Sequence, residues 1–210
     1  LLEELKKNTN LPKPIIVVGF KHEQVQQVLG SSYKYAFQQQ QLGTAHAVLS
    51  AKIFSESPNI LVLYGDMPFI KQASLEKLMQ SHDENQATMS MLTTVVPNFE
   101  GPYQSMNGFG RIIRNDTNKV AKITEYKDAS PEERDIKELN PGIYLFNSEW
   151  LWGHLSKIDN DNAQSEYYLT DIVEIAMNEG KHIYDMAIDP KEVFGINTKE
   201  HLEHAHGMIE

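Results

Sequence analysis

The sequence predicts an α/β domain with a mainly parallel sheet flanked by helices, on three observations. Aliphatic, β-branched runs alternate with stretches of helical spacing, the pattern of strand–helix–strand units. The runs at 15–18 (Ile-Ile-Val-Val) and 60–64 (Ile-Leu-Val-Leu-Tyr) are apolar throughout, as strands buried on both faces are. Finally, 210 residues, 40% of them hydrophobic, suffice for one domain with a sizeable core.

The elements follow in order. Leu1-Leu2-Glu3-Glu4-Leu5-Lys6-Lys7 reads as the last turns of an amphipathic helix with no capping residue before it. With a leucine at position 1, this implies further sequence upstream. The strand at 15–18 ends at Gly19, and 23–29 carries Val25, Val28 and Leu29 at helical spacing. Residues 33–37 form the next strand, and Gly43 opens a helix over 44–51. The strand at 60–64 is closed by Gly65-Asp66. Ser74 is placed to cap a helix through Met79. A Met/Thr-rich strand covers 87–96, and the polar, Gly-Pro-containing stretch 98–108 is a loop. Short strands at 110–114, 120–124 and 142–146 come next, with Asn115-Asp116-Thr117-Asn118 as a hairpin-like turn. Helices over 148–155 and 168–178, a strand at 182–187 and a closing helix capped by Thr198 complete the chain. No repeat, low-complexity tract or hexapeptide β-helix pattern is present.

Composition removes several function classes. The formal net charge is -10 and no Lys/Arg cluster interrupts it, so a nucleic-acid surface is not expected. A nucleotide remains compatible, because backbone N–H groups and a metal ion can hold phosphates. With no cysteine, disulfides, zinc thiolates and thiol nucleophiles are excluded. No signal peptide and no apolar run of membrane-spanning length is seen, which makes a cytoplasmic protein without a membrane partner the expectation.

Asp66 is the leading candidate residue. It follows a buried strand at the end where open α/β sheets bind ligands. Gly65 permits close approach, and a hard cation prefers one or two carboxylates with phosphate and water. A turn-capping Asp is the plain alternative. Gln41-Leu42-Gly43-Thr44 opens a helix whose free N–H groups suit an acceptor, and Gln38 to Gln41 offer amides able to read a base edge; solvated glutamines are equally consistent. Glu125 and Lys127 alternate onto one face after a strand, serving a sugar hydroxyl and a phosphate or forming an exposed ion pair. Gly108-Phe109-Gly110-Arg111 and Asn140-Pro141-Gly142 are turns into strands. The block 162–171 could line a polar pocket or simply pack and cap. Asn197 could give a neutral metal oxygen or cap the last helix. His201, His204 and His206 read as a solvated helix face rather than a metal site, and no Ser or Cys nucleophile motif is seen.

Each motif is weak alone, but the order is specific. Gln38…Gln41-Leu42-Gly43-Thr44, Tyr64-Gly65-Asp66-Met67-Pro68, Gly108-Phe109-Gly110-Arg111, Glu125-Tyr126-Lys127-Asp128, Asn140-Pro141-Gly142, Asn162-Ala163-Gln164…Glu166-Tyr167-Tyr168-Leu169-Thr170-Asp171 and Gly195-Ile196-Asn197 follow one another along the chain. This series resembles the bacterial N-acetylglucosamine-1-phosphate uridylyltransferases, in the pyrophosphorylase domain of the bifunctional uridylyltransferase/glucosamine-1-phosphate acetyltransferase. The resemblance implies a Rossmann-like fold of the nucleotide-diphospho-sugar transferase type, with 1–210 as a single domain lacking its N-terminal part. It implies transfer of uridylyl from UTP to N-acetylglucosamine-1-phosphate with Mg2+, for cell-wall precursors. Gln38, Gly43, Thr44, Tyr64 and Gly65 would hold the nucleotide. Asp66 and Asn197 would be the catalytic metal ligands. Gly110, Glu125, Asn140, Tyr168 and Thr170 would hold the sugar phosphate.

Three departures stand out. The family's first strand, its Gly-rich loop with Arg and its Pro-Lys pair have no match here, so the strands that would flank that first strand are expected to lack ladder partners unless another strand compensates. The acetyltransferase β-helix has no match either, so neither acetyl transfer nor the trimer it drives is implied. The stretch 98–107 exceeds the family's usual link. Another sugar-1-phosphate nucleotidyltransferase, or a non-catalytic sugar-nucleotide-binding domain, are the competing readings.

Overall fold

The computed structural model describes residues 1–7 and 11–209, the side chains of residue 204 and of residues 206–209 excepted. Its strands are β1 (Ile15–Val18), β2 (Lys34–Phe37), β3 (Asn59–Val62), β4 (Met89–Val95), β5 (Gly110–Arg114), β6 (Val120–Thr124), β7 (Glu138–Asn140), β8 (Tyr144–Asn147) and β9 (Ile183–Ile188). Its helices are α1 (Leu2–Lys6), α2 (His22–Leu29), α3 (Thr44–Ser50), α4 (Gln72–Glu84), α5 (Pro131–Arg134), α6 (Ser148–His154), α7 (Asp171–Asn178) and α8 (Lys199–Ile209).

The large sheet runs β3-β8-β4-β7-β5-β6, and β9 pairs with the other edge of β4. Strand β4 is its hub. Met89 and Met91 lie opposite Phe146 and Tyr144, while Thr94 lies opposite Leu139. Between these pairs two residues of β4, Leu92 and Thr93, face four of the β7–β8 run, 140–143, and the surplus is a bulge at Pro141-Gly142. This bulge is where the sheet forks: β3 continues beside β8, and β5 beside β7.

Side-chain alternation divides the core in two. Met89, Met91, Tyr144 and Phe146 face a cluster closed by α3, α6 and α7. Leu92, Ile143 and Leu145 face a second cluster closed by α4, α8 and the apolar side of α1.

The α/β architecture stands as expected, but the sheet is mixed, not mainly parallel. β1–β2 and β4–β9 are the parallel ladders; the others are antiparallel. The physical reason lies in 110–147. Parallel neighbours need a long crossover, whereas five residues join β5 to β6 and three join β7 to β8. Strand β8 then enters between β3 and β4, antiparallel to both.

Local expectations also shift. Ser74 does not cap α4, which starts at Gln72; its hydroxyl donates to Glu192 Oε2 at 2.7 Å. The helix expected over 168–178 begins at Asp171. The stretch 98–108 is mostly 3-10 helix (Gly101–Gly108) with Met106 buried. It is anchored by Arg111, whose buried guanidinium donates to the carbonyls of Asn107, Phe109 and Arg134 and lies over the rings of Phe99 and Tyr126. Two elements were not foreseen: β7, and α5 with its capping box from Ser130 to Glu133. Thr198 does cap α8, its hydroxyl accepting from the His201 N–H at 3.1 Å.

Strands β1 and β2 form a separate two-stranded sheet. Among the described residues β1 pairs with β2 alone and β3 with β8 alone, so the missing ladder partners expected from the resemblance are seen. Residues 15–19 and 61–65 line one cavity of about 970 Å3, together with Leu1, Leu5, Val25, Val28, Gln38, Thr44 and Leu169.

Candidate active site

The predicted site residues gather along the fork in the sheet. Tyr64, Gly65 and Asp66 leave the end of β3, and Gly110 starts β5 on the other branch. A fork of this kind is the crevice in which open α/β sheets take ligands. The bulge beneath it makes room. Gly142 has φ +78°, and a Cβ built on it would stand 1.9 Å from the Tyr64 ring, so the ring packs directly against bare backbone. Asn140 is buried, and its Oδ1 accepts from the Gly142 N–H at 3.1 Å, fixing the bulge from its other end.

On the β1–β2 side, the backbone N–H of Gln38 donates to Val18 O at 2.8 Å, continuing the β1–β2 ladder by one bond. Its side-chain Nε2 donates to Gly43 O at 2.9 Å and lies 3.1 Å from His46 Nδ1. Gly43 has φ +114°, and a Cβ there would meet the Tyr167 backbone at 2.6 Å. That contact is part of a clasp: Tyr167 N–H donates to Leu42 O, Ala45 N–H to Tyr167 O, and Leu169 N–H to Thr44 Oγ1. The 162–171 block is thereby tied to the start of α3.

Tyr64 joins the two sides. Burial pushes its phenol up to about 12, the Glu125 and Asp66 charges add to this, and the Thr44 hydroxyl offsets it. The ring is therefore a neutral donor at ordinary pH.

On the other branch, Glu125 carries a carboxyl raised above the usual range, first by burial and then by Asp128, against an opposing hydrogen bond from Thr170. That bond runs from Thr170 Oγ1 to Glu125 Oε1 at 3.1 Å. Both Glu125 oxygens lie 3.5 Å from where a Gly110 Cβ would stand. Tyr168 donates its O–H to Asp128 Oδ2 at 3.2 Å and accepts from Gln164 Nε2 at 2.9 Å. The expected shared face of Glu125 and Lys127 is not seen. β6 ends at Thr124 and the chain turns, with the Asp128 and Ala129 N–H groups donating to Glu125 O. Glu125 is thereby half-buried, while Lys127 is exposed and donates to Gln164 Oε1.

Asp66 and Asn197 approach the same point beside Gly195. Asp66 Oδ2 and Asn197 Nδ2 lie 3.5 and 3.4 Å from the point a Gly195 Cβ would occupy. The Ile196 N–H donates to Asp66 O at 2.8 Å, holding the two segments together. His201 supports this arrangement from α8. Its Nδ1 accepts from the Asn197 N–H at 3.3 Å, and its ring edge rests on Phe194. The solvated face read for His201, His204 and His206 thus fails at half-buried His201, and the side chains of the other two lie outside the described residues. Among the described residues no cluster of three or more His, Asp or Glu suited to a metal is formed.

Sequence reasoning singled out Asn140-Pro141-Gly142 as a turn but missed that Gly142 seats Tyr64. It missed His46 altogether, although a histidine eight residues after Gln38 in Gly43-Thr44-Ala45-His46 was visible. Asp128 and Gln164, partners of Tyr168, stood inside quoted motifs without a role.

The fork, its Gly-Asp strand end and its clasped polar loop are those of a nucleotide-handling α/β domain, and the family model described as nucleotidyl transferase matches residues 6–191. The chain belongs to the nucleotidyl transferase family. Among its relatives is the bifunctional protein GlmU of Caldicellulosiruptor saccharolyticus, 44% identical over 96% of this chain and 43% of that protein. Another is that of Acetivibrio thermocellus, 40% identical over 97% of this chain and 43% of that protein. The chain therefore spans less than half the length of these relatives. Among solved structures, a UDP-glucose pyrophosphorylase complexed with UDP-glucose superposes with TM-score 0.68 at 14% identity, over 93% of this chain and 80% of that one. A CMP:2-keto-3-deoxy-manno-octonic acid synthetase complexed with CTP gives 0.68 at 16%, over 99% and 85%. These two share the fold. No described helix is long and apolar enough to cross a membrane.

Proposed function

We propose that this domain transfers a uridylyl group from UTP to N-acetylglucosamine-1-phosphate, releasing pyrophosphate and UDP-N-acetylglucosamine in the cytoplasm. The observation that carries the reading is the convergence of Asp66 and Asn197 beside Tyr64, with polar groups for a base on one branch of the fork and for a sugar on the other.

An oxygen of the sugar-1-phosphate attacks the α-phosphate of UTP in line as the bond to pyrophosphate breaks. Such a displacement needs alignment and charge neutralisation more than a proton relay. Gln38 and the N–H groups of Gly43 and Thr44 hold the uracil, and Tyr64 and Gly65 line the phosphate path. Glu125 accepts from a sugar hydroxyl, with Thr170 fixing its orientation. Gly110 and Asn140 present backbone and amide groups, and Tyr168 closes the acetamido side. Asp66 and Asn197 offer one carboxylate and one amide, and the cradle that a Gly195 Cβ would fill is free of side chain. That donor set fits Mg2+, which keeps waters and takes phosphate oxygens; the cation would use Asn197 Oδ1, with the amide turned from the orientation in which Nδ2 faces the cradle. Bound there, it would neutralise charge on the phosphates.

The test is pyrophosphate release from UTP with Mg2+ and a panel of sugar-1-phosphates. The account expects N-acetylglucosamine-1-phosphate to be the preferred acceptor. Release with glucose-1-phosphate and none with the acetamido sugar would assign the domain to another nucleotidyltransferase. A second reading, a non-catalytic sugar-nucleotide-binding domain, draws on the unpaired edges of β1 and β3 around the cavity. Binding of UDP-N-acetylglucosamine with no turnover would favour it.

A further inference from the structure

We infer that His46 is a positioning residue that locks the Gln38 amide with its carbonyl toward the ligand, and so sets a preference for uracil over cytosine. The inference rests on the assignment of Gln38 to the base.

An amide free to turn about its last torsion offers either a donor or an acceptor. Gln38 is not free to turn. Gly43 O can only accept, and it lies 2.9 Å from the Gln38 nitrogen; the opposite orientation would set two oxygens against each other. With Nε2 fixed there, its second N–H points at His46 Nδ1, 3.1 Å away. That ring nitrogen must therefore accept, which places the His46 proton on Nε2. Both Gln38 donors are then used. Among the described residues Oε1 has no protein partner, and Gln38 lines the large cavity. The Gln38 side chain presents an acceptor and no donor.

Uracil and cytosine differ at ring atom N3. Uracil carries an N–H there, which Oε1 accepts. Cytosine carries a lone pair, which a fixed oxygen repels and which a turned amide would satisfy with its NH2. Gly43 supplies half of the lock through its backbone and cannot be removed by substitution. His46 supplies the other half through a side chain.

The experiment titrates UDP and CDP, with Mg2+, into the wild-type chain and the variants His46→Leu and His46→Asn. Leucine removes the acceptor; asparagine places Oδ1 where Nδ1 stood. The expected result is a UDP preference in the wild type. It falls about fivefold in His46→Leu, the size of one neutral hydrogen bond, and is restored in His46→Asn. Equal weakening of UDP and CDP in His46→Leu would show a structural role and overturn the inference while leaving the nucleotide reading standing. No UDP binding by the wild type would overturn the nucleotide reading and the inference with it. Should His46→Leu not fold, the 15N imidazole spectrum of the wild type decides: a proton on Nδ1 of His46 contradicts the lock.

Discussion

Strands β1 and β3 are written almost wholly in Ile, Leu and Val, while β4 carries Ser90, Thr93 and Thr94 among its methionines and leucine. Hydropathy alone would bury the first two most deeply. The reverse holds: β4 is buried from Met89 to Thr94, whereas β3 is half-buried along its length and Val17 of β1 is 36% exposed. The difference lies in neighbours. β4 is paired on both edges and covered on both faces. Two of its polar side chains are occupied, Ser90 by His82 Nδ1 at 2.8 Å and Thr94 by Ile188 O at 3.0 Å, while Thr93 Oγ1 is buried without a hydrogen-bond partner. β1 and β3 are each paired on one edge and line an open cavity. A strand's burial is thus set by what pairs and covers it. The domain has a closed half carrying the proposed sugar site and an open half carrying the proposed base site.

Core truncation sharpens that contrast most. Leu92→Ala in β4 removes a fully buried side chain and should cost about 2–5 kcal/mol. Val17→Ala in β1 should cost less than about 1 kcal/mol, since much of that side chain already meets solvent. Denaturant titration of both variants checks the pair, and equal losses would erase the distinction.

Gly142→Ala attacks the junction between the halves. The new methyl would overlap Tyr64 at a backbone φ of +78°. A loss of about 1–3 kcal/mol is expected, with weaker UDP-N-acetylglucosamine binding because Tyr64 must move. Stability lost with affinity intact would separate Tyr64 from the site.

Within the closed half, Thr170→Val removes the hydrogen bond to Glu125. About fivefold weaker UDP-N-acetylglucosamine binding, with UDP binding unchanged, is expected by titration calorimetry. A parallel loss for UDP would mean that the two halves do not divide the ligand as described.

The smallest effect concerns pH. Burial first, and then the charges of Asp159, Glu125, Glu174 and Asp128, push Asp171 up to about 6 from its ordinary 3.8. The folded chain holds this proton more tightly than the unfolded one, so the group adds stability at low pH that is lost as pH rises from about 4 through about 6. Asp171→Asn should therefore melt above the wild type at pH 8, with the gap closing below about pH 4. Thermal melts across that range check the sign.

Much of this was legible from sequence because it depends on local pattern. The apolar runs marked β1 and β3 and the Met/Thr-rich run marked β4, although β3 stops at Val62, two residues short of the end at 64 expected from Gly65-Asp66. What was not legible depends on pairing between distant segments. The insertion of β8 between β3 and β4 turned an expected parallel sheet into a mixed one. The clasp of Tyr167 onto Leu42 and Ala45, and the bond from Thr170 to Glu125 across 45 positions, leave no periodic trace. The approach of Asp66 and Asn197 to one point beside Gly195 was expected from the resemblance alone. His46 went unnoticed because its role exists only once the turn at Gly43 brings it back to Gln38.

The most direct test of one divided site is calorimetric titration of UDP-N-acetylglucosamine with Mg2+ into the wild type, Gln38→Ala and Glu125→Ala. The account predicts binding by the wild type and roughly tenfold or greater weakening in each variant, since each removes a contact to a different end of one ligand. Wild-type affinity retained in either variant would contradict it.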